Sequence, residues 1–227
     1  MLDTAMLDSG TPTGRIVAAA LRLAGERPWA DVTLTDIAAA AQVNLVDLRR
    51  SFSSKADVLA AFVRAVDDAV LARSPERTGL ASGQQRDALF DVLMSRFDVL
   101  APYKPALKSI AETWSADPAL LRALSQSQSW MLRAAGIPVE GIEGQARAAG
   151  LGAIYATVFR TWLKDDDPGL ARTMAALDRR LRRAESTLGS LDELKKKLRG
   201  LGEAFANMRK PASSTPPPSG ANGTTGA

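Results

Sequence analysis

The sequence predicts an all-α protein, and three observations carry that expectation. Only 5% of the residues are aromatic while 46% are hydrophobic, so alanine and leucine supply most of the apolar content. Strand-type runs of Val, Ile, Thr and Tyr are missing. Apolar residues recur instead three and four positions apart, as they do along one face of a helix.

The elements follow in chain order. Up to about Pro12 the chain reads as a frayed leader. It lacks the basic and apolar regions of a signal peptide, and no apolar run approaches the ~18 residues of a membrane span. The expected compartment is the cytoplasm. Ile16, Ala19, Ala20 and Leu23 form a helical stripe from about Gly14 to Glu26. "RPW" breaks it, with Trp29 as a core plug under the turn. Thr33 opens a second helix with a T-x-x-D cap completed by Asp36, and Ile37, Ala38 and Ala41 form its inner face. Gln42 and Val43 make a tight turn, and Asn44 suits the N-cap of a third helix ending near Ser53. On that helix Val43, Leu48 and Phe52 face inward, whereas Val46, Arg49 and Arg50 point outward together. Ser54 and Asp57 cap a long helix running to Arg73. Short helices with so brief a turn between the second and third spell a helix-turn-helix.

"SPERTGLASG" is a polar connector. Helices are then expected over about Gln85 to Ala101, Pro105 to Ser115, Pro118 to Ala135, Glu140 to Leu163 and Gly169 to Leu188. Pro105 and Pro118 sit in first turns, where the missing N–H costs nothing. From Leu188 to Met208 an apolar stripe of Leu191, Leu194, Leu198, Leu201, Phe205 and Met208 runs beneath Lys195, Lys196, Lys197 and Arg199. Beyond it, "PASSTPPPSGANGTTGA" has the composition of a disordered tail.

The chain contains no histidine and no cysteine. Thiolate nucleophiles, histidine-based triads, the usual zinc sites and disulfides are therefore excluded. Its glycines form no phosphate loop. An enzyme is not expected, nor is a cofactor or metal. The net charge of +4 is unevenly placed. Residues 1–75 hold eight basic against nine acidic side chains, and residues 177–210 hold ten against five. The basicity thus belongs to the C-terminal end and says nothing of nucleic acid at the front.

"RIVAAALRLAGERPWADVTLTDIAAAAQVNLVDLRRSFSSKADVLAAFV" resembles the N-terminal domain of the tetracycline-repressor (TetR) family of bacterial transcriptional regulators. Ile37-Ala38, Ala41 with Val43, Leu48, Phe52 and Lys55 stand at the family's spacing. The resemblance implies that Thr33 and Thr35 touch backbone phosphate, that Asn44, Leu45 and Arg49 face the DNA groove, and that Lys55 contacts phosphate. Gln42, in the turn, and Arg50 join the candidate DNA-binding residues. Helix N-termini and basic side chains are good phosphate ligands, and arginine also suits guanine O6 and N7. Departures stand at the centre of the motif. The family commonly has tyrosine where this chain has Arg49, glycine where it has Val46, and a polar or basic residue where it has Leu45.

In the C-terminal half, "LFDVLMSRFDVL" and "YATVFRTWLKDDDPGLARTMAALDRRLRRAE" resemble the lipid-binding family of coenzyme Q biosynthesis accessory proteins. That likeness implies an apolar ligand. Trp114, Trp130 and Tyr155 are the first candidates to line a cavity, because each brings a polar handle to an apolar site. Met94, Phe97, Phe159 and Trp162 complete the candidate set, with plain core as the alternative for each. The basic segment of residues 189–209 suits either peripheral contact with an anionic membrane or docking on protein.

The reading is thus a helix-turn-helix domain over residues 12–74, with its motif at about 33–52. A helical effector-binding and dimerisation domain follows over 84–188, then the amphipathic basic helix of 189–209 and the tail of 210–227. The expected protein is a homodimeric regulator of palindromic operator DNA, controlled by a hydrophobic small molecule or lipid. The alternative is a lipid-binding accessory protein of ubiquinone biosynthesis that uses the same fold without DNA.

Overall fold

In the computed structural model the described residues are Leu7, 10–113 and 117–186. They are helical throughout, with no β-strand among them. The helices are α1 (Pro12–Glu26), α2 (Leu34–Ala41), α3 (Leu45–Ser51), α4 (Lys55–Arg73), α5 (Ser82–Leu100), α6 (Lys104–Glu112), α7 (Pro118–Ala134) and α8 (Gly141–Leu163). A further helix, α9, occupies 171–186. The expected helix boundaries hold to within about three residues along the described chain. The basic segment 189–209 and the tail lie outside the described residues, as does Trp114.

The start signals work as capping chemistry predicts. Thr11 accepts from the Gly14 amide, and Pro12 follows at the first helical position. Asp117 accepts from the Ala119 and Leu120 amides ahead of Pro118. Stop signals are equally physical. At the end of α7 the Gly136 amide donates to the Arg133 carbonyl, and that of Ile137 to the Leu132 carbonyl. This is a Schellman closure, and Gly136 supplies the left-handed φ of +72° that it requires.

The core is a single buried cluster that includes Leu7 and extends from Ile16 on α1 to Leu181 on α9. α1 packs on α2, α3, α4 and α6, and α4 continues into contacts with α5 and α7. α7 in turn packs on α8. α4 therefore belongs both to the front three-helix group and to the helices behind it. A second tie is polar: the Trp29 amide donates to Ser109 Oγ at 2.8 Å, and that hydroxyl donates to the Arg27 carbonyl. No helix among the described residues is long and apolar enough to cross a membrane.

Candidate nucleic-acid interface

α2 and α3 are assembled from local chemistry. Thr33 Oγ1 accepts from the Asp36 amide at 3.1 Å while Asp36 Oδ2 accepts from the Thr33 amide at 2.9 Å, a reciprocal box. The same carboxylate accepts from the Thr33 hydroxyl and pairs with Arg27 at 2.7 Å. The Thr33 hydroxyl and N–H hold the Asp36 carboxyl below its ordinary value.

The turn between the helices is a second Schellman closure. The Gln42 amide donates to the Ala39 carbonyl and that of Val43 to the Ala38 carbonyl. The left-handed residue here is Gln42, at φ 55° and ψ 44°, where glycine or asparagine is usual. Asn44 then caps α3, its Oδ1 accepting from the Asp47 amide at 2.8 Å. Its Nδ2 also donates to Asp47 Oδ2 at 2.7 Å. Leu48 and Phe52 are buried, and Val43 is half-buried against the core. The inner face of α3 is thereby fixed.

Its outer face carries Leu45, 57% exposed, Val46, 58% exposed, and the exposed arginines Arg49 and Arg50. Arg49 makes no hydrogen bond or ion pair among the described residues, while Arg50 reaches Asp47 at 3.5 Å. Thr35 and Gln42 are exposed alongside. Three other candidates are engaged in holding the frame. The Thr33 hydroxyl is used in its box and the Asn44 amide in its cap. Lys55 Nζ donates to the Trp29 carbonyl at 2.7 Å and the Val32 carbonyl at 2.6 Å. It also stands 4.6 Å from the centre of the Trp29 ring. Burial pulls the Lys55 pKa below its ordinary value, against the pull of Asp31. With two of three ammonium donors used, one remains for a phosphate.

Residues 16–62 match the family described as bacterial regulatory proteins, tetR family. That stretch, α1 through the first part of α4, is similar to the helix-turn-helix domain of that family. Over about three quarters of the chain the fold is similar to two solved TetR transcriptional regulators. One is from Nitrosomonas europaea ATCC 19718, at 24% identity and a TM-score of 0.56, covering 76% of this chain and 96% of that one. The other is from Rhodococcus sp. RHA1, at 22% identity and a TM-score of 0.57, covering 74% and 92%. No curated protein matches the chain. The TetR match ends at residue 62, so the coenzyme Q likeness of the C-terminal half rests on sequence alone.

Behind the matched stretch, the described candidate ligand residues pack on one another or face outward. Phe97 lies 5.5 Å from Tyr155 and 5.4 Å from Trp162, ring centre to ring centre. Phe159 packs 6.0 Å from Tyr155 and 5.5 Å from Trp162. These rings fill one another's space as core. Met94 is half-buried beside the core. Trp130 points outward from α7, with the Arg133 guanidinium 5.1 Å from its ring centre. A groove of about 470 Å³ opens instead between α5 and α9, lined by Phe90, Met174, Ala175 and Leu181 and edged by Arg86, Asp91 and Asp178.

Sequence reading missed a buried polar network entirely. Arg96 on α5 donates to Asp67 on α4 and to the Tyr155 hydroxyl on α8, at 3.2 Å in the latter case. Ser127 on α7 donates to the same Asp67 oxygen at 2.7 Å. Burial raises the pKa of Tyr155, against the nearby Arg96 charge, so the phenol stays neutral. Four helices thus meet at one charge pair.

Proposed function

We propose that this chain is a TetR-type transcriptional regulator that works as a homodimer, reads a palindromic operator through α3 and is controlled by a hydrophobic effector. One observation carries the DNA part. On a firmly capped helix-turn-helix, the outer face of α3 leaves Leu45, Val46 and Arg49 exposed and uncommitted to any partner. Thr35 and Gln42 stand exposed beside them for the backbone. Such a helix enters the major groove with its first residues at the base edges.

Geometry and surface support dimerisation. Two half-sites one helical turn apart need two copies of α3. Ile142 at the start of α8 is 85% exposed, and Met174 on α9 is also exposed, so both helices offer apolar side chains to a second copy. The groove between α5 and α9 has an apolar floor, which favours an apolar effector over a small polar one. Differential affinity of that ligand for two arrangements of the dimer would shift the spacing of the α3 pair.

Selection from a pool of random duplexes tests the reading. The expected result is a recurrent inverted repeat, bound by a dimer with an affinity that falls steeply as salt rises. Recovery of no preferred sequence, together with co-purifying isoprenoid or lipid, would instead favour the lipid-binding accessory alternative.

A further inference from the structure

The other exposed large apolar side chains, Leu121, Trp130, Ile142 and Met174, stand apart from one another in sequence. Leu45 and Val46 are adjacent, and they form the first turn of α3. Scattered exposed apolar residues are ordinary. Two together on the surface that meets DNA are not.

The polar side chains around them are engaged. Asn44 gives its Oδ1 to the Asp47 amide and its Nδ2 to the Asp47 carboxylate, so its amide is not free to pair with an adenine edge. Asp47 is further drawn to Arg50. Arg49 and Arg50 lie in the last turn of the helix, away from the end that reaches the base edges. What α3 presents at its leading end is therefore hydrocarbon.

The major groove has one apolar feature to match it. Adenine, guanine and cytosine offer only hydrogen-bonding groups there, whereas thymine adds its C5-methyl. We infer that Leu45 and Val46 set the sequence preference of this protein by packing on a thymine C5-methyl group in each half-site. The inference rests on the operator-reading function proposed above and adds what α3 recognises. Leu45, the longer side chain, reaches the methyl, and Val46 closes the contact from the side and excludes water. Arg49 and Arg50 hold the flanking backbone.

Deoxyuridine provides the test, because it keeps every hydrogen-bonding group of thymine and lacks only the methyl. The full-length protein is used to select duplexes, and affinity is measured by fluorescence anisotropy with each thymine replaced in turn. One thymine per half-site should respond, with binding weakened about fourfold per methyl lost and about fifteenfold when both half-sites are changed. A Leu45→Ala/Val46→Ala variant, altered only at exposed positions, should keep its circular dichroism and melting temperature. It should bind the thymine and deoxyuridine duplexes equally. Sequence-selective binding in which every deoxyuridine duplex stays within twofold of its parent would overturn this inference and leave the operator-reading function intact. A double variant that still discriminated the two bases would overturn it in the same way. Absence of any sequence-selective complex would overturn the operator-reading function, and this inference with it.

Discussion

Cutting the Asp67–Arg96 pair should destabilise the protein more than any surface change, and the structure gives the size. Asp67 is 5% exposed and Arg96 is 2% exposed. Replacing Arg96 with methionine keeps most of the side-chain volume but strips a buried carboxylate of its counter-charge. Ser127 is then its remaining hydrogen-bond donor, and the Tyr155 hydroxyl loses its donor as well. Leaving one member of such a pair uncompensated costs about 3–5 kcal/mol. Asp67→Leu should cost a similar amount, because it strands the guanidinium. The double variant Asp67→Leu/Arg96→Met removes both charges together, and much of the loss should return. Urea unfolding followed by circular dichroism reads all four proteins of the cycle. Single-variant losses below about 1 kcal/mol, or a double variant as unstable as the two singles added, would refute the reasoning.

Other perturbations follow from the front of the chain. Thr33→Ala should lower stability by about 1 kcal/mol by opening the reciprocal box at α2, measured by thermal melting at neutral pH. The folded Asp36 carboxyl titrates below its unfolded value, so its stabilisation is present above the ordinary carboxylate range and is lost as pH falls through the lowered value. An Asp36→Asn variant should therefore approach the wild type in stability as the pH drops below about 4. Gln42→Gly should stabilise by about 0.5–1 kcal/mol, since glycine takes the left-handed conformation without strain. If Gln42 also touches the operator, the same variant should bind DNA more weakly, which separates the two roles. Lys55→Met should cost about 1–3 kcal/mol by stranding the Val32 carbonyl and leaving the Trp29 carbonyl with the Val32 amide alone, and a melting temperature equal to wild type would argue against that anchoring role.

The features legible in the sequence are those whose cause is local. Thr33, Asn44 and Ser54 each accept from an amide three residues ahead, a relation that needs no tertiary knowledge. One detail shifted: Asp57 accepts from the Ser53 amide rather than from Ser54. The inner face of α3 was equally readable, because Leu48 and Phe52 stand at helical spacing. Asp67 and Arg96 were not. They lie on different helices; Val63 and Val70 flank Asp67, and Val92, Leu93, Val99 and Leu100 flank Arg96, at helical spacing on a buried face, yet only the packing of α4 against α5 and α7 pairs them. The aromatic residues are ambiguous in the sequence for a related reason. Phe97, Tyr155, Phe159 and Trp162 sit at the spacing that serves a solid core and a ligand pocket alike, and the depth of packing between α5 and α8 decides. Trp130, on the other side of α7, turns outward beside Arg133. Engagement was hidden too. Lys55 has the spacing of a phosphate contact, yet two of its donors close the turn after Trp29 through carbonyls far away in sequence.

The central claim, that α3 reads DNA, is tested most directly at Arg49. The side chain is exposed and makes no hydrogen bond or ion pair among the described residues, so Arg49→Ala should leave the melting temperature unchanged. Its operator affinity, measured by anisotropy at two salt concentrations beside the wild type, should fall. A base contact predicts a loss of about 1–3 kcal/mol confined to the operator, and a phosphate contact predicts a uniform loss with a salt slope smaller by about one. Weak, sequence-blind binding by the wild type, unchanged in Arg49→Ala, would contradict the account.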